Sequence, residues 1–450
     1  MNVTEILQFV DGLVFTQTEK HLDDLQKKII EEIFRGKTYR QIADIYDYDE
    51  GYIGDESRQL FKILSEQLGE DINKSNFCWT IERVRNSGIF NAGNHNNINW
   101  CPNDNQSNYH QQNNNNIDNS KKSEYDLTLA PQIINFYNRE TEIKTIFNWI
   151  FNQNIHLISI LGLSGIGKTT IVKRFVDLHL DKFEVIIWRS LKYPKSLNLL
   201  IDDLLNICKQ EAQENINNKL KQLFNILNEK KCLIILDDVH NIFVSGQFAG
   251  KYQSEYKDYQ NFFTMITETQ HQSNVILISQ EKCQEMISLD SELYPSNCLE
   301  LSGLNNAATE ILKNQGLKNE EAWLDLIKLY ESHPRYLQYI SILIKDVFQG
   351  EVSELLKENS LIFTADFKSL FDSIWMRLSE VEKEILLKIS QQDKPISRDD
   401  IKKLLSLSSI DIINGLQSLT RRFLLTKLEN DEKLFNLSSV FRKYIKIYHH

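Results

Sequence analysis

Gly162-Leu-Ser-Gly165-Ile-Gly167-Lys168-Thr169 follows the apolar run Ile155–Leu161 and precedes the helix-like run Thr170–Leu180. The stretch fits G-x-x-x-x-G-K-[ST], a phosphate-binding loop set between the strand and the helix it requires. Its glycines let the backbone curl until the N–H groups of Gly162, Gly165, Ile166 and Gly167 face one concavity. That concavity opens on a helix N-terminus and therefore attracts phosphate oxygens. Lys168 is placed to reach the outer phosphates, Thr169 to hold Mg²⁺ through its hydroxyl, and Thr170 to cap the α-phosphate. The expected ligand is a nucleoside diphosphate or triphosphate.

Working outward, such a loop needs a carboxylate on the metal side. Leu233-Ile-Ile-Leu-Asp237-Asp238 supplies one at the carboxyl end of an apolar run, where ligands bind in open α/β sheets. Asp237 is expected to hold the Mg²⁺ shell through water, and Asp238 to orient or deprotonate an attacking water. The run Asn274–Ile278 should end beside the γ-phosphate, with Ser279 and Gln280 as polar probes. Strands over Leu157–Leu161, Val185–Arg189, Leu233–Leu236 and Val275–Ser279 alternate with helices over Thr141–Phe151, Thr169–Leu180 and Leu197–Lys209. That alternation predicts a parallel α/β sheet.

The 450 residues are 41% apolar and 25% charged, enough for several domains with real cores. A net charge of −11 disfavours a general binder of nucleic acid or acidic membrane. The six cysteines include no C-x-x-C pair, which fits reduced, packing thiols in a cytoplasmic protein. No 18-residue apolar run or signal segment is visible, so no membrane partner is expected. From Phe90 to Ser123 the chain is dominated by Asn, Gln, Ser and Asp, too polar for a core. The expected division is a helix-turn-helix-like domain over 1–88, an Asn-rich flexible linker over 89–132 and a nucleotide-binding domain over 133–292. A helical lid over 293–362 and a winged helix over 363–450 follow. The fold class is thus a multidomain α/β and α protein.

Tyr137-Asn138-Arg139-Glu140, the phosphate loop, Phe183–Ser190, Leu236-Asp-Asp-Val239 and His271–Lys282 occur in one order. Together they resemble the NB-ARC family of STAND signalling ATPases, in particular the cyanobacterial group with an N-terminal vWA-MoxR-associated helix-turn-helix domain. Gly246-Gln-Phe-Ala-Gly250-Lys-Tyr252 also resembles that group's insertion after the acidic strand. The resemblance implies a switch: ADP holds a closed form, and exchange to ATP permits self-association or engagement of a protein partner. It implies that Tyr137 and Arg139 belong to the loop closing over adenine, that Leu301-Ser-Gly-Leu304 opens the lid, and that Pro334 packs near the base. The sequence departs from the family at four places, one being Asn138, where the family often has the glycine of Tyr-Gly-Arg. Gln280 stands where an arginine would touch the γ-phosphate, Ser332 replaces the glycine of Gly-x-Pro, and Ser438–Tyr444 carries no Met-His-Asp-type motif. A neutral glutamine cannot supply that charge, so hydrolysis is expected to be slow or absent, at most that of a slow P-loop ATPase.

The flanking modules read less sharply. Leu22–Phe34, Thr38–Ala43 and Tyr52–Leu68 fit a helix-turn-helix. Residues 1–88 nevertheless carry 11 Lys and Arg against 17 Asp and Glu, and the second helix opens Glu50-Gly-Tyr-Ile-Gly-Asp55-Glu56. A protein-interaction or autoinhibitory module fits that charge better than a DNA reader, although Arg40, Arg58 and Lys62 offer a local patch. Helices over Phe367–Leu378, Glu380–Ser390, Ser397–Leu405 and Ile410–Arg421 precede a hairpin, Phe423–Glu429 with Lys433–Leu437. These predict a winged helix, with Arg421, Arg422 and Lys427 as the basic wing candidates. No repeat array follows before His450. Sensing is therefore expected to fall to a partner or to the N-terminal domain, or the copy is degenerate or truncated. A transcriptional regulator and a pseudo-ATPase scaffold are the alternative functions.

Overall fold

Four runs of buried residues set side by side explain where the phosphate loop sits. In the computed structural model, residues 3–81 and 123–449 are described, apart from 19, 35–36, 69–71, 73, 75–76, 78–79, 288–294, 359, 393 and 430–432. The Asn-rich tract to residue 122 lies outside the described residues. The chain divides into two compact units, residues 1–122 with 176–180, and residues 123–175 with 181–450.

The first unit is built on helices Val3–Thr18, Asp24–Phe34, Tyr39–Tyr46 and Glu50–Leu68. Ile6, Val10, Ile29, Ile30, Ile33, Ile42, Ile53, Leu60 and Leu64 point into one core. The third helix starts at a capping box: Thr38 Oγ1 accepts from the Gln41 N–H at 3.2 Å, and Gln41 Oε1 accepts from the Thr38 N–H at 2.9 Å. It ends where Asp47 takes φ 60°, three residues before the next helix. This is the helix-turn-helix that the sequence predicts. Among the described residues, no helix is long and apolar enough to cross a membrane.

The second unit opens with a six-stranded, all-parallel sheet: β1 (Glu124–Asp126), β2 (Leu157–Leu161), β3 (Val185–Ser190), β4 (Cys232–Asp237), β5 (Asn274–Ser279) and β6 (Ser296–Glu300), in the order β1-β3-β4-β5-β2-β6. Every residue of β2, β4 and β5 is buried, as expected of strands covered on both faces. Two differences from the sequence reading concern the edges. β1 lies inside the stretch read as linker, and β6 lies where no strand was expected. β1 is pinned by polar contacts, since Arg189 Nη2 donates to Asp126 Oδ2 at 2.7 Å and Lys209 Nζ to Glu124 Oε1 at 2.8 Å.

After β6 come the lid helices Thr309–Asn314, Trp323–Leu329, Pro334–Val347 and Val352–Leu356. Helices Ala365–Met376, Glu380–Ser390, Arg398–Leu404 and Ser409–Arg421 follow. β7 (Ile396–Ser397), β8 (Leu425–Glu429) and β9 (Lys433–Leu437) form a small antiparallel sheet, and helix Ser439–Tyr448 closes the described chain. This is the winged-helix pattern. Lid and winged helix share one core, in which the Tyr336 ring lies 5.4 Å from Phe367 and Phe371 lies 5.2 Å from Tyr444. One wing expectation is corrected: Arg422 is 6% exposed and turned inward, because three acceptors draw its guanidinium away from solvent.

Candidate nucleotide site

β2 ends in the phosphate loop, and its neighbour β5 and the next strand β4 end beside it. A cavity of about 360 Å³ opens there, at the carboxyl ends of the strands and under the first turn of helix Pro334–Val347. Tyr137, Arg139, Gly165, Ile166, Gly167, Lys168, Thr169, Thr170, Asp237, Asp238 and Pro334 all line it. Gly162 does not, since it packs behind the loop against the Leu301 carbonyl. Gln280 lines the cavity, whereas Ser279 turns away: its buried hydroxyl donates to the Glu281 carbonyl at 2.6 Å. Leu304 and Gln338 complete the lid side.

Two glycines show how the loop is shaped. Gly167 has φ 106°, and a Cβ added there would meet nothing within 4 Å, so the loop is hollow at that point. Gly165 has φ 81°, and an added Cβ would come within 2.6 Å of Arg335 Cβ. The lid therefore touches the loop where a side chain would keep it away. Both observations fit a cradle for phosphate oxygens.

Lys168 is 7% exposed and donates from Nζ to the Gly162 and Leu163 carbonyls at 3.0 and 2.9 Å. Burial lowers its ammonium to about 8, against the pull of Asp237 and Asp238. Asp237 Oδ1 accepts from Thr169 Oγ1 at 3.3 Å and from the Asp238 N–H at 2.8 Å. Burial, with the charge of Asp238 added, raises the Asp237 carboxyl to about 6. Asp238 sits at φ 60° and accepts from Ser190 Oγ at 3.3 Å. A half-buried hydroxyl, two adjacent acids and a nearby lysine match the hard-oxygen environment that Mg²⁺ and phosphate require together. Thr169 and Asp237 would hold the metal, and the Lys168 charge would oppose the phosphates.

Arg139 sits differently from a residue placed over a base. Its guanidinium is 7% exposed and donates to Glu142 Oε1 at 2.7 Å, to the Ser302 carbonyl at 2.6 Å and to the Ile166 carbonyl at 3.4 Å. It ties the phosphate loop to the start of the lid. Tyr137 accepts from Asn314 Nδ2 at 3.2 Å, a second tie to the lid. The structure also brings forward residues that the sequence reading passed over. His240 lines the cavity with Nδ1 unpartnered among the described residues, and burial beside Arg377 and Lys168 lowers its ring to about 3, so it stays neutral. His333 caps the lid helix, stacks 3.7 Å from the Tyr336 ring, and is lowered to about 3 by burial and Lys168. Each stands within two residues of a motif position, which was the available signal.

A second site-adjacent feature lies one residue beyond Gln280. Glu281, 2% exposed, accepts from Arg377 Nη2 at 2.5 Å and from Arg422 Nη1. Arg422 Nε also donates to the buried Glu382 Oε1 at 3.0 Å, and its Nη2 to the Gln247 carbonyl at 2.7 Å. The Lys282 N–H donates to the Arg421 carbonyl at 3.0 Å, and the Gly246 N–H to the Arg377 carbonyl at 3.0 Å. The winged helix thus grips the exit of β5 and the insertion after β4.

Two parts of the chain match families of known proteins. Residues 139–293 match the NB-ARC domain, and residues 1–84 match the N-terminal helix-turn-helix domain of vWA-MoxR associated proteins. An uncharacterized WD repeat-containing protein of Nostoc sp. is 30% identical over 318 residues, 66% of this chain and 25% of that protein. The disease resistance protein RRS1B of Arabidopsis thaliana is 25% identical over 336 residues, 70% of this chain and 22% of that protein. The chain thus spans about a quarter of the length of these relatives. Among solved structures, a STAND protein with a tetratricopeptide repeat sensor from Pyrococcus horikoshii is similar at a TM-score of 0.35 and 19% identity, covering 74% of this chain and 45% of that one. A Walker-type ATPase of Pyrococcus abyssi is similar at a TM-score of 0.48 and 15% identity, covering 69% and 96%.

Proposed function

On the premise that this chain belongs to the NB-ARC family, we propose that it is a signalling switch held by ADP or ATP with Mg²⁺, with slow or absent hydrolysis. The observation that carries this reading is the buried Lys168 and Asp237, with the half-buried Thr169 bonded to Asp237, around the hollow at Gly167. In the proposed complex, Gly165, Ile166 and Gly167 cradle phosphates through their N–H groups, and Thr170 caps the inner phosphate. Tyr137, Leu304 and Pro334 form the apolar end for the base. Thr169 and Asp237 would hold Mg²⁺, which would neutralise phosphate charge, and Asp238 is left to orient a water.

Slow chemistry follows from what surrounds that water. Gln280 offers an amide where a cation would stabilise charge on the terminal phosphate, and His240 is neutral. Self-association or a protein partner on activation fits the acidic helix-turn-helix module better than DNA does. Its second helix presents Glu50, Asp55 and Glu56, which repel a phosphate backbone.

The test is to denature the purified protein, identify the released nucleotide, and follow steady-state phosphate release. Bound ADP at one per chain with negligible turnover supports the switch. Rapid turnover by the wild type would sink the slow-hydrolysis part. Gln280→Arg is expected to raise ATP preference or turnover.

A further inference from the structure

Three cationic side chains line the cavity: Arg139, Lys168 and Arg335. Arg139 is committed to the protein, and Lys168 is fixed within the loop. Arg139 donates to Glu142 and two carbonyls, and Lys168 to two loop carbonyls beside the acidic pair, where the outer phosphates would lie. Arg335 differs. It makes no ion pair among the described residues, and its guanidinium rests 5.5 Å above the Tyr339 ring, a weak, exposed perch. Its stem lies against the phosphate loop at Gly165, where any Cβ would collide with it. It comes from the first turn of the lid helix, directly after Pro334 at the helix start.

From these contacts we infer that Arg335 is a phosphate-reading residue: the lid adds to Lys168 a second cation, for the phosphates that ADP and ATP share. The inference rests on the nucleotide reading of the cavity. A planar guanidinium offers two parallel N–H donors to a phosphate, which Gln280 cannot. Leaving the exposed tyrosine ring costs little. Because Arg335 belongs to the lid, its contact with the phosphates beyond the α position also couples lid closure to the length of the phosphate chain. Adenosine monophosphate offers it nothing; ADP and ATP do.

Calorimetric titration of AMP, ADP and a non-hydrolysable ATP analogue with Mg²⁺, against wild type, Arg335→Met and Arg335→Lys, tests this. Methionine keeps the stem on Gly165 and removes the charge. The expected result is a loss of roughly ten- to a hundred-fold in affinity for ADP and the ATP analogue in Arg335→Met. AMP affinity should be unchanged, and lysine should recover part of the loss. Unchanged ADP and ATP-analogue affinity in Arg335→Met overturns the inference. So does an equal loss for all three nucleotides, which marks a packing role alone. No binding of any nucleotide by the wild type overturns the nucleotide reading itself, and this inference with it.

Discussion

Asp237 carries the sharpest residue-scale consequence. Its carboxyl is raised from the ordinary value near 4 to about 6 by burial and by Asp238. Between those values the folded chain binds a proton that the unfolded chain releases, so ligand-free stability falls as pH rises from about 4 to 6. The full penalty is about 3 kcal/mol above that window. Asp237→Asn keeps the acceptor oxygen for Thr169 and the Asp238 N–H while removing the charge. It is expected to raise the melting temperature of the ligand-free protein at pH 7 and to abolish the Mg²⁺ dependence of nucleotide affinity. In the wild type, that Mg²⁺ dependence should weaken as pH falls through about 6, when calorimetry at pH 7.5 is compared with pH 5.5. Ser332 gives a second residue test. It replaces a family glycine yet holds φ 55°. Ser332→Gly should stabilise the fold by about 0.5–1 kcal/mol in urea unfolding, because a Cβ is unfavourable there. The phosphate loop and acids were legible because their chemistry fixes both type and spacing. Arg335 was not, because its significance lies in its packing on the phosphate loop at Gly165, 170 residues away in sequence.

At the scale of elements, the legible parts were those with one dominant signal. β2 to β5 are continuous apolar runs, and their positions follow from the sequence to within a residue or two. β1 and β6 were invisible because Glu124-Tyr-Asp126 and Ser296-Asn-Cys-Leu-Glu300 lie at sheet edges, where polar side chains meet water and contribute no pattern. The winged-helix elements were located, but the inward turn of Arg422 was not, since its partners Glu281 and Glu382 are 141 and 40 residues away in sequence. Those partners make a buried ionic cluster, and breaking one member leaves charges without compensation. Glu281→Ala is expected to cost about 3 kcal/mol in urea unfolding, the order found when a buried pair is broken. Ser438 and Ser439, in the segment without a Met-His-Asp-type motif, instead bind Glu331 of the lid through contacts of 2.6–2.8 Å. Ser438 also caps helix Ser439–Tyr448, accepting from the Phe441 N–H at 3.3 Å.

For the nucleotide unit as a whole, lid and winged helix share one core, while their junction with the sheet is a polar seam at Glu281, Lys282, Gly246 and Arg422. Separation is therefore expected along the seam. Hydrogen exchange should show the amides of Gly246 and Lys282 losing protection when ATP replaces ADP, while those of helix Pro334–Val347 keep theirs. Loss of protection in both at once would place the hinge elsewhere. All of this depends on a nucleotide in the cavity. The most direct measurement is calorimetric titration of ADP and ATP with Mg²⁺ into wild type and Lys168→Ala. The account predicts saturable binding of one nucleotide per chain by the wild type and none by the variant. Absence of binding by the wild type at millimolar nucleotide, or equal binding by Lys168→Ala, would contradict it.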